Sequence, residues 1–565
     1  MDIKRMEVNE LIEQISEKKI VGKVIKAKVK KNLLYYRIRV PKIADTTYNG
    51  LKLSYSAKRE QDEEHYVFDL IKVKEKKEQI IFESVIDLES LKLKPLIWFF
   101  FAILQIDGKE YEMELVNRDY TNYAKYCSLF FQNSYEYEDG MFVYPFVNSA
   151  RNIALQYRKR GDYDDIRIKL KERLAVARYL LTFPVLKHKN IFLVFEKYSE
   201  MAQDNGYYFF RYCMEHNMEK AMECKIYYVI TKDSPDREKL APYMNNVIDF
   251  MSIRYITYAL AAKLLVSTDA KAHSYAWRRK GSVLFPFIKR KKLVFLQHGV
   301  TAMKQVDFFY GKGKRGECDL FITTSDFEKK IVEDNFGYQP DQIPVTGFAR
   351  WDVLEDQSEG SRDILVMPTW RSWLEEYTEA AFRESDYYKQ YMTLLKNPKF
   401  HQMLEKHDVT VKFYLHPKFK DYIGEFASDS DRIEFIAFGT KPLNEIMMKC
   451  RMLVTDYSSV SWDMFYQKKP VVFYQFDLND YLAVHGSYID MKKDLFGPTA
   501  DTVEELICHM EDCIKNEFSL TNEQEALHME YFKYVDDRNS ERICKAIEEQ
   551  LMKGRKKETE DEHAQ

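Results

Sequence analysis

At 565 residues the chain is too long for one hydrophobic core, so two to four domains are expected. An apolar fraction of 45% with 15% aromatic residues excludes general disorder. A net charge of −3, from 86 basic and 89 acidic side chains, excludes a generally basic nucleic-acid binder, so no nucleic acid is expected as partner. The eight Cys show no C-x-x-C pair and no zinc-ligand spacing, and read as buried thiols in a reducing cytosol. Forty Tyr and thirty-seven Phe fit large cores with amphipathic edges, or stacking on bases or sugars.

Residues 1–150 read as a β-rich accessory domain. The N-terminus, Met1-Asp2-Ile3-Lys4-Arg5, leads into polar sequence with no apolar signal segment. Strands are expected around Ile20–Ile25, Leu34–Val40, Gln79–Phe82 and Glu110–Leu115, with turns at Tyr48-Asn49-Gly50 and Asp107-Gly108. The most apolar stretch, Pro95 to Ile106, is far short of the roughly 20 residues of a spanning helix and reads as a buried strand. No segment is expected to cross a membrane.

Residues 151–190 read as a basic helical connector. Arg158, Lys159, Arg160, Arg167, Lys169, Lys171, Arg173 and Arg178 recur along it, and Leu170, Leu174, Ala177 and Leu181 supply an apolar stripe. Such a helix can lie on an anionic membrane surface or pack on the next domain. Beyond it, apolar runs alternate with helical pattern in two series, 191–355 and 356–550, followed by a polar tail, 551–565. The fold class is α/β: two Rossmann-like domains facing a cleft, with ligands at the carboxyl ends of the strands.

Polar motifs cluster where those strands end. Leu293–Leu296 runs into Gln297-His298-Gly299, where Gly299 is expected to turn the backbone; His298 is either a general base for a hydroxyl or a core or capping His. In the second half, Pro368-Thr369-Trp370-Arg371 follows a strand, and Arg371 could fork onto a phosphate. His416-Pro417-Lys418 follows another, placing two side chains within reach of one diphosphate. Thr455-Asp456-Tyr457-Ser458-Ser459 then ends a buried strand and opens a helix, whose free N–H groups and Ser hydroxyls suit phosphate. Its alternative is an ordinary Ser cap.

Taken in order, Gln297-His298-Gly299, Thr369-Trp370-Arg371, His416-Pro417, Thr455–Ser459 and Lys469-Pro470 resemble the CDP-glycerol glycerophosphotransferase family, the teichoic-acid polymerases and primases of Gram-positive bacteria. Asp204-Asn205-Gly206 is similar to that family's first half. The likeness runs from about Lys189 to Arg542 and leaves out the first 150 residues. One departure stands out: the family's Gly-x-Pro-Arg-x-Asp reads Gly347-Phe348-Ala349-Arg350-Trp351-Asp352, which puts the local turn in doubt.

The resemblance implies a GT-B arrangement with the donor nucleotide held mainly by the C-terminal half. It implies a catalytic base at His298, a catalytic His416 that also meets the diphosphate, and diphosphate contacts from Ser458 and Ser459, with Asp456 supporting their loop. Arg350 joins the donor-binding set through that motif, and Arg371 and Lys418 on chemical grounds. It further implies transfer of glycerol phosphate, or a related polyol phosphate, from CDP-glycerol or CDP-ribitol to a lipid-linked or polymeric acceptor, with release of CMP. No cofactor or metal is expected, since cationic side chains and a helix N-terminus can neutralise the transferring group.

The alternatives are a GT-B glycosyltransferase using a nucleotide sugar and a non-catalytic membrane- or polymer-binding scaffold. With no spanning segment and a lipid-linked acceptor implied, the expected location is cytoplasmic, peripheral on the inner membrane face. The 158–178 helix and the basic segment Arg278-Arg279-Lys280 with Lys289-Arg290-Lys291-Lys292 are the candidate contacts, the latter also a guide for a polyanionic acceptor.

Overall fold

The computed structural model describes residues 8–55, 65–117, 133–148, 151–165, 167–276, 282, 284–374, 379–415, 422, 424–437 and 439–552. The chain forms two compact units: residues 1–174 with 276–286, and residues 175–275 with 287–565.

The first unit is β-rich. Its described strands join in a mixed sheet of eleven, antiparallel except where Gly22–Lys30 runs parallel to Lys109–Val116. Alternating residues of Leu33–Pro41 are buried on one face, as a period of two requires. The apolar stretch expected as a buried strand is one, Leu96–Ile106, with Trp98 and Phe100 in the core and Tyr36 stacked on Phe100 at 4.1 Å. Asp107 and Gly108, both at positive φ, make the tight turn that follows it. Asn49-Gly50 is not a turn; it is a bulge inside the strand Thr46–Tyr55. A side chain at Gly50 would meet Val67 at 2.9 Å, so the glycine there serves close strand packing.

The connector begins later than its basic pattern suggests. Ile153–Lys159 is a strand, and Arg158 is buried, donating to Asp164 and lying over the Phe142 ring at 4.5 Å. The helix spans Arg167–Leu186 and crosses the border between the units. Its buried side is Ile168, Glu172, Ala175 and Leu186, whereas Leu170, Leu174, Leu180, Leu181 and Val185 are exposed. The apolar stripe read from the sequence thus faces outward beside Lys171, Arg173 and Arg178. Among the described residues no helix is long and apolar enough to cross a membrane.

The second unit holds two six-stranded parallel sheets among its described residues. In the first, Ile191–Phe195 is flanked on one side by Lys225–Ile230 and Val247–Asp249, and on the other by Leu264–Ser267, Lys292–Phe295 and Leu320–Phe321. Numbered along the chain this is the order 3-2-1-4-5-6, the Rossmann arrangement with its switch point between strands 1 and 4. The second sheet repeats the order with Asp363–Val366 at its centre, so the unit carries the two Rossmann-like halves of a GT-B fold. Pro344–Thr346, expected as a strand, contributes one bridge between Thr323 and Val345.

The halves are not divided at one point in the chain. The late helix Asn539–Ile547 returns to the first half: the Asn539 and Ser540 N–H groups donate to Asp352 at 2.7 and 2.9 Å, and the Cys544 and Cys213 sulfurs lie 3.8 Å apart. Gly347, at φ +82°, backs against Asn539, where a Cβ would meet the amide carbon at 2.6 Å. The turn that Ala349 put in question forms. Ala349 is buried and opens the short 3-10 segment Ala349–Val353, at a position where proline presets φ without being required.

Candidate active site

The first half brings three strand ends together at its switch point. Beyond Phe195, Glu196 is fully buried beneath the helix Asn205–Glu215 and accepts from the backbone N–H groups of Gln203, Asp204 (2.8 Å) and Tyr207 (3.0 Å). Burial and the neighbouring Asp204 push its carboxyl up to about 7. Gly206 is needed because a Cβ there would stand 2.9 Å from Glu196 Oε2. Asn205 donates to the carbonyls of Leu296 (3.1 Å) and Gln297 (2.9 Å) and accepts from the Arg350 N–H (3.0 Å). The Asp204-Asn205-Gly206 motif is therefore a bracket that fixes the loop carrying His298.

His298 lies between two carboxylates. Its Nδ1 is 2.9 Å from Asp204 Oδ2 and its Nε2 is 3.3 Å from Asp269 Oδ1. Burial opposes the imidazolium, but these two hydrogen bonds and charges outweigh it and raise the pKa to about 9. Desolvation works against ionised Asp204 and Asp269 too; His298 with Arg350, and His273 with His298, nonetheless hold the two carboxyls well below their ordinary range. Asp269 Oδ2 accepts from the Tyr198 N–H at 2.8 Å, and the Tyr198 ring stacks on His273 at 4.1 Å. The imidazole is 44% exposed, so one edge is open to a reactant. The residue with left-handed backbone in this loop is Gln297, at φ 58°, not Gly299. Its side chain is held by Ile322, Thr301 and Glu328.

Gly299 has a different use from the expected turn. A Cβ on it would stand 2.6 Å from the Ser459 Cβ, so the loop after His298 packs directly on the Ser458-Ser459 pair of the second half. Ser458 and Ser459 are half-buried, and the Ser459 hydroxyl makes no capping bond to the helix Val460–Tyr466. The contact thus brings the strand-end loop that carries His298 against the strand-end loop that carries Ser459.

Two of the expected phosphate ligands are occupied elsewhere. Arg371 is completely buried, forks onto Asp477 (2.7 and 2.9 Å), pairs with Asp456 (2.9 Å) and donates to the Thr369 carbonyl (2.8 Å). Its guanidinium lies 4.8 Å from the Tyr457 ring centre. This arginine ties the Thr369–Arg371 loop to the Asp456 loop and has no face for a ligand. Arg350 is likewise spent on Asp463 (2.9 and 3.0 Å) and Asp204 (3.2 Å), linking the His298 bracket to the helix after Ser459. Asp456, fully buried, accepts from the N–H groups of Thr369 (2.8 Å) and Tyr457 (2.7 Å), and so supports its loop as expected. Lys469 caps carbonyls of Met447 (2.8 Å) and Met448 (2.7 Å). His416 and Lys418 lie outside the described residues, as do Arg278, Arg279 and Lys280.

Sequence reasoning passed over Asp204 as a partner of His298, and missed Asp269, Asp463 and Asp477. Asp269 had a usable signal: it stands two residues past the strand Leu264–Ser267, at the same edge that singled out His298. The two partners of His298 give a testable pH dependence. An imidazole with a pKa of about 9 is neutral in roughly one molecule in a hundred at pH 7, so if neutral His298 limits turnover, the rate should rise with pH toward that value. Asp269→Asn removes one carboxylate that favours the imidazolium, so the rising limb of kcat/KM should move to lower pH. A limb unmoved in this variant would separate Asp269 from His298.

Residues 176–549 match the family described as CDP-Glycerol:Poly(glycerophosphate) glycerophosphotransferase. The Minor teichoic acid biosynthesis protein GgaB of Bacillus subtilis is 25% identical over 458 residues, covering 79% of this chain and 49% of that protein. Teichoic acid ribitol-phosphate polymerase TarK of Staphylococcus aureus is 25% identical over 287 residues, 46% of this chain and 53% of that one. The chain therefore spans about half the length of these relatives. The solved structure of the Wall Teichoic Acid Polymerase TagF aligns over 68% of this chain and 99% of that one, with 15% identity and a TM-score of 0.47. With about two thirds of its length matched, and with the His298 loop and the Ser458-Ser459 loop meeting in one place, the chain belongs to the CDP-glycerol:poly(glycerophosphate) glycerophosphotransferase family.

Proposed function

We propose that the protein transfers glycerol phosphate, or a related polyol phosphate, from a CDP-linked donor to an acceptor hydroxyl in teichoic-acid synthesis. The observation that carries this is the contact of Gly299 with Ser459, which brings the loop after His298 against the loop that holds the two serines. His298, once neutral, takes the proton of the acceptor hydroxyl as its oxygen attacks the β-phosphorus. Asp204 holds the ring through Nδ1, and Nε2, which pairs with Asp269 in the imidazolium, is the nitrogen that takes the proton once the ring is neutral. Ser458, Ser459 and the adjoining N–H groups receive the diphosphate, and CMP leaves with the electron pair of the broken P–O bond. His416 remains assigned to the same diphosphate on the family motif, and Lys418 on chemical grounds. The relatives carry both glycerol-phosphate and ribitol-phosphate in their names, so the polyol is the variable to test. Purified protein should turn over CDP-glycerol or CDP-ribitol with a lipid-linked or polymeric acceptor. Turnover of nucleotide sugars instead would reject this reading in favour of the glycosyltransferase alternative.

The proposed location is the inner face of the cell membrane. The exposed Leu174, Leu180, Leu181 and Val185 beside Lys171, Arg173 and Arg178 support it, since an apolar face flanked by cations suits an anionic interface. Each cation near such a surface contributes about 1 kcal/mol and each buried Leu about 1.5–3 kcal/mol. Joint replacement of Leu180 and Leu181 by Ser should therefore cut binding to anionic vesicles more than tenfold. Replacing Lys169, Lys171 and Arg173 by Gln should remove its salt dependence. Vesicle sedimentation unchanged in both variants would make the helix a connector only.

A further inference from the structure

The loop that leaves His298 does not end at Ser459; it continues across the second half. The Tyr488 N–H donates to the Ala302 carbonyl at 3.0 Å, and the Gln305 N–H donates to the His485 carbonyl at 3.2 Å. Gly486, at φ +62°, is pressed against Gln305, where a Cβ would meet Cδ at 2.6 Å. Lys304 is thereby carried to the end of the helix Leu478–His485, next to the loop that follows the strand Asp363–Val366. From that loop the Ser372 hydroxyl lies 3.4 Å from His485 Nε2, and the Trp373 ring centre lies 6.0 Å from the imidazole.

Lys304 is exposed and has no hydrogen-bond or ion-pair partner among the described residues. That sets it apart from the other cations near the two loops: Arg350 and Arg371 are matched by carboxylates, and Lys469 by carbonyls and Asp356. His485 reports the same imbalance. In the last turn of a helix its imidazolium should be favoured, yet burial, then Lys304, then Arg371 push it down to about 4. A positive group with no counter-ion among the described residues, one position from a backbone bond to His485, and a hydroxyl 3.4 Å from the His485 ring nitrogen make a donor set for an anionic oxygen.

We propose that Lys304, Ser372 and His485 form a second phosphate subsite, beside the Ser458-Ser459 pair, that takes a phosphate oxygen of either the donor diphosphate or a phosphodiester of the acceptor chain. Lys304 supplies the charge, the Ser372 hydroxyl donates, and His485 gains a proton as the anion arrives. The identity of the ligand rests on the transferase reading; the presence of the subsite does not.

The test measures binding of inorganic pyrophosphate, CDP-glycerol and a glycerol-phosphate oligomer to the full chain by calorimetry, for wild type, Lys304→Gln, Lys304→Arg and Ser372→Ala. Wild type should bind pyrophosphate saturably, Lys304→Gln should weaken it roughly tenfold or more, and Lys304→Arg should retain it. Unaltered thermal melts would set aside misfolding, and the His485 ring resonance should move toward the imidazolium on binding in wild type. Loss confined to CDP-glycerol in Lys304→Gln assigns the subsite to the donor, and loss confined to the oligomer assigns it to the acceptor. No pyrophosphate binding by wild type, or equal affinities in wild type and Lys304→Gln, overturns the subsite. A protein that binds pyrophosphate through Lys304 but releases no nucleotide from CDP-polyols keeps the subsite and loses the transferase reading.

Discussion

His298→Ala is expected to lower turnover about 10²–10⁴-fold, the range for loss of a positioned general base, while leaving affinity for the CDP donor close to that of wild type. The separation follows from geometry. His298 is held by Asp204 and Asp269, both of the first half, whereas the donor is assigned to the second half. Asp204→Asn should give a smaller loss with the same sign, because it weakens the hold on the ring and one of the bonds to Arg350 while keeping the base. Kinetics with the donor saturating, and calorimetry of donor binding, read the two effects apart. A parallel loss of donor affinity in His298→Ala would move the residue to the donor side.

Arg371→Ala is expected to destabilise the fold by about 3–5 kcal/mol, the magnitude seen when one partner of a buried ion pair is removed. Asp456 and Asp477 would be left in the interior without their cation, and Tyr457 would lose the guanidinium beneath its ring. The midpoint of denaturation should fall markedly, and any activity surviving at low temperature should keep its donor KM. Had Arg371 been a phosphate ligand, the opposite pattern would hold, with near-normal stability and a raised KM. Chemical denaturation beside donor titration distinguishes the two.

The contrast between Arg371 and His298 explains how far the sequence could be read. Strand-end position is visible in a sequence because it needs only the apolar run and the polar residue that stops it. His298, Asp456, Ser458 and Ser459 were singled out in this way and do stand past strand ends, and both sheets have the strands expected at their centres. Short edge strands such as Val247–Asp249 and Ile433–Ile436 have an acidic residue that cuts the apolar run to two residues, too short to register. Side-chain direction is not visible either. Arg371 and Arg350 stand where a phosphate ligand would, but each has carboxylates from distant segments, Asp477 106 positions away and Asp463 113 positions away. Asp477 and Asp463 give no local hint of these pairings.

The connector helix misleads in the other direction. Its stripe of Leu170, Leu174 and Leu181 has the spacing of a buried face, yet the buried face is Ile168, Glu172, Ala175 and Leu186. Periodicity reports that apolar residues share a side of the helix, not which side the protein covers. Gly299 is a similar case. A glycine after a strand reads as a turn, whereas here the missing Cβ makes room for Ser459, a residue 160 positions later in the chain.

The most direct test of the central claim is the identity of the nucleotide released in a single turnover of CDP-glycerol or CDP-ribitol with a hydroxyl-bearing acceptor. Attack at the β-phosphorus, with His298 taking the proton, leaves CMP and places the polyol phosphate on the acceptor. The account predicts CMP in amounts equal to the phosphodiester formed, with both lost together in His298→Ala. Release of CDP, with the polyol transferred without its phosphate, would contradict it.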